Sequence, residues 1–192
     1  MDRAAPGKII LLNGASRAGK STLGRALQAQ LGEPFLGFSP DLLLFGNGML
    51  PPRRDPDGPF SWAAMRPAFF RGYLACLPAL AREGNNLVTD FVLETDEQWR
   101  AVVRHLGGLD VLFVGVHCPL PELERRERQR GDRGVGDARR DFGTVHTFGP
   151  YDFEVDSADT PERGAGRIVA AWRARRRPGA LGEAARGLNL RG

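Results

Sequence analysis

The 192-residue sequence predicts an α/β protein of three layers, α/β/α, with a five-stranded parallel sheet in the middle. Two observations predict this fold. Short apolar runs alternate along the chain with amphipathic or charged stretches of helical length, and no segment is repeated. Strands that are separated by helices form parallel sheets, and the ligands of such sheets bind at the carboxyl ends of the strands.

The first elements are indicated by local patterns. The run 8–13 is short, β-branched and ends in Asn-Gly, as a buried strand before a loop does. Residues 20–31 place leucines along one stripe of a helix, and 34–39 predicts a second strand. Ser39-Pro40 is typical of an N-cap followed by proline, so a second helix is expected to begin near Asp41.

A loop and a long helix follow. Residues 46–59 are so rich in proline and glycine that no regular element is expected there. Residues 62–82 predict a long apolar helix that Pro67 and Pro78 interrupt, with Gly84 as its C-cap.

The second half repeats the alternation. Its predicted strands are 86–91, 109–118 and 151–157, and its predicted helices are 96–106, 119–130 and 161–177, with a Gly/Arg loop at 131–140. The run 109–118 is apolar enough for a fully buried strand. Residues 1–178 are therefore expected to form one domain. The remainder, 179–192, has few apolar residues and is expected to be a flexible basic tail.

One motif after the first strand carries specific chemistry. Gly14, Gly19, Lys20 and Ser21 fit the pattern G-x-x-x-x-G-K-[ST] between a strand and a helix, and Lys20 is one of only two lysines in the chain. In such a P-loop the backbone N–H groups and the lysine bind phosphates, and the hydroxyl of the last residue ligates Mg²⁺. The competing interpretation is a glycine-rich turn with an incidental lysine.

The motif predicts a nucleotide-binding loop. Its expected ligands are Gly14, Ala15, Ser16, Arg17, Ala18, Gly19, Lys20, Ser21 and Thr22. The chain contains no Asn-Lys-x-Asp motif, which guanine-specific proteins ordinarily carry, so ATP with Mg²⁺ is the expected nucleotide.

Two acids at strand ends are candidates for the remaining chemistry of a kinase. Asp41 follows the second strand and is either a general base or an acid in the first turn of a helix, where the dipole favours it. Asp90 ends the third strand, where it either faces Ser21 and Mg²⁺ or is a solvated strand-end residue.

Arginines near the Gly/Arg loop are candidates for a lid over residues 126–146. Arg126, Arg130 and Arg133 either close on phosphates or belong to a solvated charged helix face. The lid interpretation makes Arg130 and Arg133 catalytic and makes Arg126 a nucleotide ligand.

The order of these motifs resembles that of the chloramphenicol phosphotransferases, small P-loop kinases that phosphorylate an antibiotic hydroxyl. The resemblance runs from about Ile9 to Ala170. It is carried by "LNGASRAGKS", "GFSPD", "LVTD", "LDVLFVGVHC", "RGDRGVG", Val145-His146 and "YDFEVDS".

The resemblance implies a P-loop kinase with an Arg-rich lid, in which Asp41 is the general base and Lys20 holds phosphate. Two features depart from the family pattern: Phe91 stands where a second acid is expected, and the acceptor-side segment 46–66 is short and proline-rich. The expected acceptor is a small-molecule hydroxyl, with chloramphenicol as one candidate and a metabolite, nucleoside or nucleotide as the alternative. Phe60, Trp62, Phe69, Phe70 and Phe91 are either its pocket or core residues.

Composition excludes few other functions. The chain has a formal net charge of +4, two cysteines, no apolar run of membrane-spanning length and no charged-then-apolar leader, so a cytoplasmic location is expected. A different class of function, an ATP-responsive nucleic-acid-binding module, would use Arg173, Arg175, Arg176 and Arg177, but aromatic residues for base stacking are missing from that run. The sequence does not predict the oligomeric state.

Overall fold

The computed structural model describes residues 5–46, 49–130 and 136–188. Within these residues the strands are β1 (Ile9–Asn13), β2 (Leu36–Gly37), β3 (Leu87–Phe91), β4 (Val111–His117) and β5 (Phe153–Asp156). The helices are α1 (Lys20–Gln30), α2 (Pro40–Phe45), α3 (Trp62–Arg82), α4 (Asp96–Leu106), α5 (Leu120–Arg130), α6 (Asp137–Phe142), α7 (Pro161–Ala174) and α8 (Ala180–Gly187).

The five strands form one parallel sheet in the order β2-β3-β1-β4-β5, which confirms the predicted sheet. β1 lies at the centre, and Ile9 is in register with Leu87 of β3 and Val111 of β4. The chain leaves β1 toward one edge of the sheet and later returns to its other side as β4. A crevice therefore opens at the carboxyl end of β1, where ligands of such sheets bind.

Both faces of the sheet are covered by helices. Ile10 and Leu12 of β1 pack in a core with residues of α1, α5 and α7, whereas Ile9 and Leu11 pack in a second core with residues of α3, α4 and α8. Successive side chains of a strand point to opposite faces, so an apolar run such as that of β1 is buried only if both faces are covered. The three-layer prediction is confirmed.

Helix α3 runs without interruption from Trp62 to Arg82, although Pro67 and Pro78 lie inside it. The predicted break is therefore wrong. Pro78 is buried beside Leu74 and Leu77, and the packing of this face against the sheet outweighs the hydrogen bond that each proline removes.

Two predictions about loops also need correction. Part of the predicted Gly/Arg loop 131–140 is helix α6, which begins after Gly136 and buries Ala138. The predicted tail is not flexible over residues 180–187, which form α8 and bury Leu181 and Ala185 against the core that contains α4. Leucine and alanine at that spacing make a narrow apolar stripe. This stripe is sufficient to dock α8, because it packs into a groove on the domain.

The basic run after α7 belongs to the fold. The Arg175 side chain stacks over the ring of Trp172 at 3.4 Å and forms an ion pair of 2.7 Å with Asp110, which Arg177 also contacts. Two of the four arginines considered for nucleic acid are therefore neutralised by the same carboxylate. None of the helices among the described residues has the length and apolar character that a membrane span requires.

Candidate active site

The predicted P-loop connects the central strand to α1. Gly14 follows β1 where β4 comes close, so that a Cβ at this position would lie 2.4 Å from the carbonyl oxygen of Val116. Gly19 has φ of 89°, a left-handed conformation that favours glycine, and α1 begins at the next residue. Both glycines of the motif are thus required by local geometry, and the loop presents the N-terminus of α1 to the crevice.

Lys20 lies inside this loop and is only 7% exposed. Its Nζ donates hydrogen bonds to the carbonyl oxygens of Gly14 (2.7 Å) and Ala15 (2.9 Å). Burial of an ammonium is costly unless its donors are satisfied, and the loop carbonyls accept two of its three N–H donors here. The side chain is therefore held within the P-loop by the backbone of the loop itself.

Asn13, the last residue of β1, supports the loop from beneath and is fully buried. Its Oδ1 accepts the backbone N–H of Leu93 at 3.0 Å. Its Nδ2 donates to the carbonyl of Val145 (2.8 Å) and to the hydroxyl of Tyr151 (2.7 Å). One side chain thus ties the start of the P-loop to the segments that follow β3 and α6. Sequence reasoning missed this role, because nothing near Asn13 in the chain identifies its partners.

The P-loop opens into one large cavity of about 1450 Å³. At one end lie the loop from Ser16 to Leu23, Arg126 and the turn 157–161. At the other end lie side chains of α2, α3 and the segment after β3, namely Asp41, Leu44, Phe45, Trp62, Arg66, Phe70 and Glu94. The cavity therefore has room for two molecules side by side, one of them at the P-loop.

Both candidate acids line this cavity. Asp41 lies in the first turn of α2, which Ser39 caps by accepting the Asp41 backbone N–H at 3.2 Å. Asp90 projects from β3. Burial raises the pKa of Asp90, and the charge of Asp41 adds to this rise, whereas Lys20 and a hydrogen bond from Ser39 lower the pKa. Asp41, Asp90 and Lys20 therefore act on one another electrostatically within one site.

Ser21 and Asp90 suit a magnesium ion. Both line the cavity, and hydroxyl and carboxylate oxygens are the hard ligands that Mg²⁺ prefers. Mg²⁺ in kinases is bound by one or two protein ligands together with substrate phosphates, so a cage of several acids is not required. The donor set fits the ion.

Of the three predicted lid arginines, Arg126 is the one whose side chain the structure describes. Arg126 lines the cavity, donates from one terminal nitrogen to the carbonyl of Arg17 at 3.2 Å, and donates from Nε to Glu122 at 2.6 Å. The side chain of Arg130 and the whole of Arg133 lie outside the described residues.

A group of charged residues that sequence reasoning missed lies on the side of the cavity that α3 and α6 line. Glu94 accepts a hydrogen bond from Arg66 of α3 and lies 3.7 Å from Arg140 of α6. Arg140 also pairs with Asp141 at 3.1 Å and with Asp137 at 2.8 Å. Glu94 lies four residues after Asp90, in the region where Phe91 replaced the expected acid.

Asp141 joins this group to the P-loop. Its carboxylate is almost fully buried, and Oδ2 accepts the backbone N–H of Ser16 at 3.1 Å. Helix α6 is therefore anchored on the phosphate-binding loop itself. No sequence motif signalled this contact, because the two residues are 125 positions apart.

The predicted aromatic wall is partly present. Trp62, Phe70 and Phe91 line the cavity, and their rings form a contiguous edge-to-face series. Among the described residues, Phe60 and Phe69 are not part of the lining: Phe60 lies beneath the guanidinium of Arg53, and Phe69 packs on Trp62. Phe91 is also only 2% exposed, so it is a core residue that borders the cavity.

His146 lies behind the P-loop rather than in the cavity. Its ring stacks on His117 with centroids 4.0 Å apart, and its Nδ1 is 2.7 Å from the hydroxyl of Tyr151. Burial, followed by the neighbouring His117, lowers the pKa of His146 to about 4. The ring is therefore neutral near pH 7 and acts as a hydrogen-bonding residue of the Asn13 network.

Comparison with known proteins identifies the relatives of this chain. Residues 7–173 match the family described as chloramphenicol phosphotransferase-like protein. A protein of Mycobacterium tuberculosis, strain H37Rv, named "Putative O-phosphotransferase", is 34% identical over 178 residues, which cover 81% of this chain and 77% of that protein.

Solved structures share the fold. The adenylyl-sulfate (APS) kinase of Mycobacterium tuberculosis, in complex with AMPPNP and APS, gives a TM-score of 0.67 at 19% identity and covers 88% of this chain and 99% of its own. The tunicamycin resistance protein of Deinococcus radiodurans gives a TM-score of 0.60 at 21% identity, with 85% and 94% covered. These similarities establish that the architecture is that of P-loop kinases.

Proposed function

Because the chain belongs to the chloramphenicol phosphotransferase-like family, we propose that it transfers the γ-phosphoryl group of ATP to a hydroxyl group of a small molecule. One observation carries the proposal: a single cavity joins the P-loop to Asp41 and Asp90 and continues into an aromatic-walled space. A kinase requires this adjacency, because phosphoryl transfer is catalysed mainly by positioning and by electrostatic stabilisation.

The P-loop end of the cavity would bind the nucleotide. The ammonium of Lys20 and the backbone N–H groups of the P-loop, apart from those of Ser16 and Ala18, which bind Asp141 and Ala15, would hold the phosphates. Lys20 would exchange its bonds to the loop carbonyls for bonds to phosphate oxygens. The adenine would lie near Arg126 and the turn 157–161, which both line the cavity. Ser21 and Asp90 would hold Mg²⁺, which neutralises charge on the phosphates when bound.

Asp41 would act as the general base. It lies on a short helix that lines the cavity, whereas Asp90 is half-buried at the end of β3, where the charge of Lys20 lowers its pKa. The acceptor hydroxyl would give its proton to Asp41 while the oxygen of that hydroxyl forms a bond to the γ phosphorus. The bond from that phosphorus to the β–γ bridging oxygen breaks, and ADP leaves.

Cations would stabilise the transferring group. Arg140 is placed for this role because it lines the cavity and its helix is anchored to the P-loop through Asp141. Arg130 and Arg133, the catalytic lid residues expected from the sequence, remain proposals of the same kind. A preorganised guanidinium is favourable here, since negative charge spreads over the equatorial oxygens during transfer.

Chloramphenicol is the first acceptor to test, since the family carries its name and the aromatic wall would pack against its ring. A metabolite, nucleoside or nucleotide is the alternative acceptor on the same scaffold. The segment 46–66, which departs from the family pattern, contributes Leu50, Arg54 and Trp62 to the acceptor side and would decide between them.

The proposal is tested by incubating the protein with ATP, Mg²⁺ and chloramphenicol, and by screening hydroxyl compounds for acceptor-dependent consumption of ATP. We expect a product heavier by one phosphoryl group. Asp41→Asn should lower kcat by roughly 10²–10⁴ while a nonhydrolysable ATP analogue still binds. Asp96→Asn is the matched control, because Asp96 also lies in the first turn of a helix but is not part of the cavity lining. Equal activity of the Asp41 variant and wild type would remove Asp41 as the base.

A further inference from the structure

The acceptor side of the cavity contains an arginine whose charge the described fold does not use. Arg54 lies in the proline-rich segment and lines the cavity. The other arginines of this side are paired: Arg66 with Glu94, and Arg140 with Asp137, Asp141 and Glu94. Among the described residues, Arg54 has no acidic partner.

The neighbouring arginine, Arg53, shows that the lack of an acidic partner is specific to position 54. Arg53 is ion-paired with Asp55 at 2.7 Å and lies over the ring of Phe60 at 4.6 Å, away from the cavity. Two consecutive arginines therefore have different surroundings: Arg53 contacts residues of its own segment, and Arg54 lines the cavity.

The backbone around Arg54 is restrained. Pro51 and Pro52 precede the two arginines and Pro56 follows them, and each proline fixes one φ angle. A restrained segment loses less conformational entropy when one of its side chains binds a ligand. Arg54 is thus presented to the cavity by a segment that suits ligand recognition.

We infer that Arg54 binds a carboxylate of the acceptor, so that the acceptor is a small hydroxylated organic acid with an apolar body. The inference rests on the proposed function and, because chloramphenicol has no carboxylate, favours the alternative acceptor, a metabolite, over chloramphenicol. One guanidinium without an acidic partner matches one negative charge on the ligand. Asp41 and Asp90, which line the same cavity, disfavour a ligand with more than one negative charge. The apolar body would pack on Leu44, Phe45, Trp62 and Phe70, with its hydroxyl toward Asp41.

The test compares two probes that differ in one group, the charged 4-(hydroxymethyl)benzoate and its neutral amide 4-(hydroxymethyl)benzamide. Their binding to the wild-type protein, Arg54→Gln and Arg53→Gln is measured by isothermal titration calorimetry. We expect wild type to bind the carboxylate about 10-fold more tightly than the amide, as a charge-assisted hydrogen bond allows. Arg54→Gln should abolish this preference and Arg53→Gln should keep it. Melting temperatures confirm that both variants are folded.

Three results would overturn the inference: equal binding of the two probes by wild type, no binding of either at millimolar concentration, or a preference that survives in Arg54→Gln. A loss of kcat in Arg54→Gln with neutral acceptors would also overturn it, because Arg54 would then contact the transferring phosphoryl group. Failure of the kinase proposal would give a different experimental result. A carboxylate preference that depends on Arg54, without phosphorylation of any hydroxyl compound, would refute the kinase and leave the anion site.

Discussion

At the scale of residues, position decides which arginines face the active-site cavity in a chain that is rich in them. Arg139 and Arg140 are adjacent in α6, yet Arg139 pairs with Glu124 on the surface at 2.7 Å, whereas Arg140 faces the cavity and contacts three acids. The sequence contains the same residue type at both positions. The two side chains therefore make a natural pair for mutation.

We predict that Arg140→Ala lowers kcat by roughly 10²-fold, the typical loss when one preorganised donor to a transition state is removed. ATP affinity should change much less, because the contact strengthens only as charge moves. Arg139→Ala is the control and should leave both quantities near wild type. Steady-state kinetics and calorimetric titration of a nonhydrolysable ATP analogue measure the two effects. A parallel loss of ATP affinity and kcat would instead make Arg140 a ground-state phosphate ligand.

His146 shows how burial sets the titration of a single residue. Its pKa is lowered from 6.5 to about 4, so between these pH values the unfolded chain binds a proton that the folded protein does not. Stability therefore rises with pH across this window and falls on acidification.

We predict that His146→Gln flattens the increase in melting temperature between pH 4 and pH 6.5, because glutamine keeps a hydrogen-bonding side chain but does not titrate. His105→Gln is the comparison, since His105 lies on α4 outside the Asn13 network and its smaller pKa shift should contribute a smaller slope. Thermal unfolding at a series of pH values measures the slope. An unchanged slope in His146→Gln would show that carboxylates, and not this imidazole, cause the acid dependence.

At the scale of elements, α8 shows that a short stretch with few apolar residues can still dock. Leu181 is 1% exposed and Ala185 is 8% exposed, and the backbone N–H of Ala180 donates to Asp152 at 2.7 Å. Gly107 at the end of α4 permits this contact, because a Cβ there would lie 2.6 Å from the Cβ of Ala185. The helix therefore completes the second core rather than extending from the domain.

We predict that Leu181→Ala lowers the free energy of unfolding by about 2–4 kcal/mol, the usual cost of truncating a fully buried leucine. Deletion of residues 179–192 should cost at least as much. Leu188→Ala is the control and should cost less than about 1 kcal/mol, because Leu188 is 40% exposed. Urea denaturation measures all three. A negligible effect of both Leu181→Ala and the deletion would mean that α8 does not dock stably in solution.

At the scale of the whole molecule, the proposed nucleotide site joins segments from both halves of the chain. The P-loop contacts α5 through Arg126 and α6 through Asp141, and Asn13 beneath it binds the segments after β3 and α6. A ligand that orders the P-loop therefore acts on several elements at once. Binding to the folded state alone stabilises it by mass action.

We predict that a nonhydrolysable ATP analogue with Mg²⁺, at about 100 times its dissociation constant, raises the melting temperature by roughly 5–10 °C. Lys20→Ala should lose most of this rise, because the loop amides alone do not supply a full positive charge to the phosphates. Lys8→Ala is the control, since Lys8 is the other lysine of the chain and pairs with Glu33. A normal shift in Lys20→Ala would refute phosphate binding by Lys20.

The sequence by itself determined the features that depend on neighbouring residues. The strand, loop and helix around Gly14, Gly19 and Lys20 follow from a short-range pattern, as does the cap of α2 by Ser39, because turns and caps are built from residues close in the chain. The apolar strands predicted the covered parallel sheet for a similar reason, since a strand buried on both faces requires a layer on each side.

Only the tertiary structure decided which distant residues share the site. Asn13 forms hydrogen bonds with Leu93 and Val145. Glu94 lies beside Arg66 and Arg140. Arg54 lines the cavity, whereas Arg53 does not. Such pairs lie tens of residues apart, and their proximity depends on strand order and helix packing, which leave no local pattern. The docking of Leu181 could not be predicted from the sequence either, because the burial of a short apolar stripe depends on the groove that another part of the chain provides.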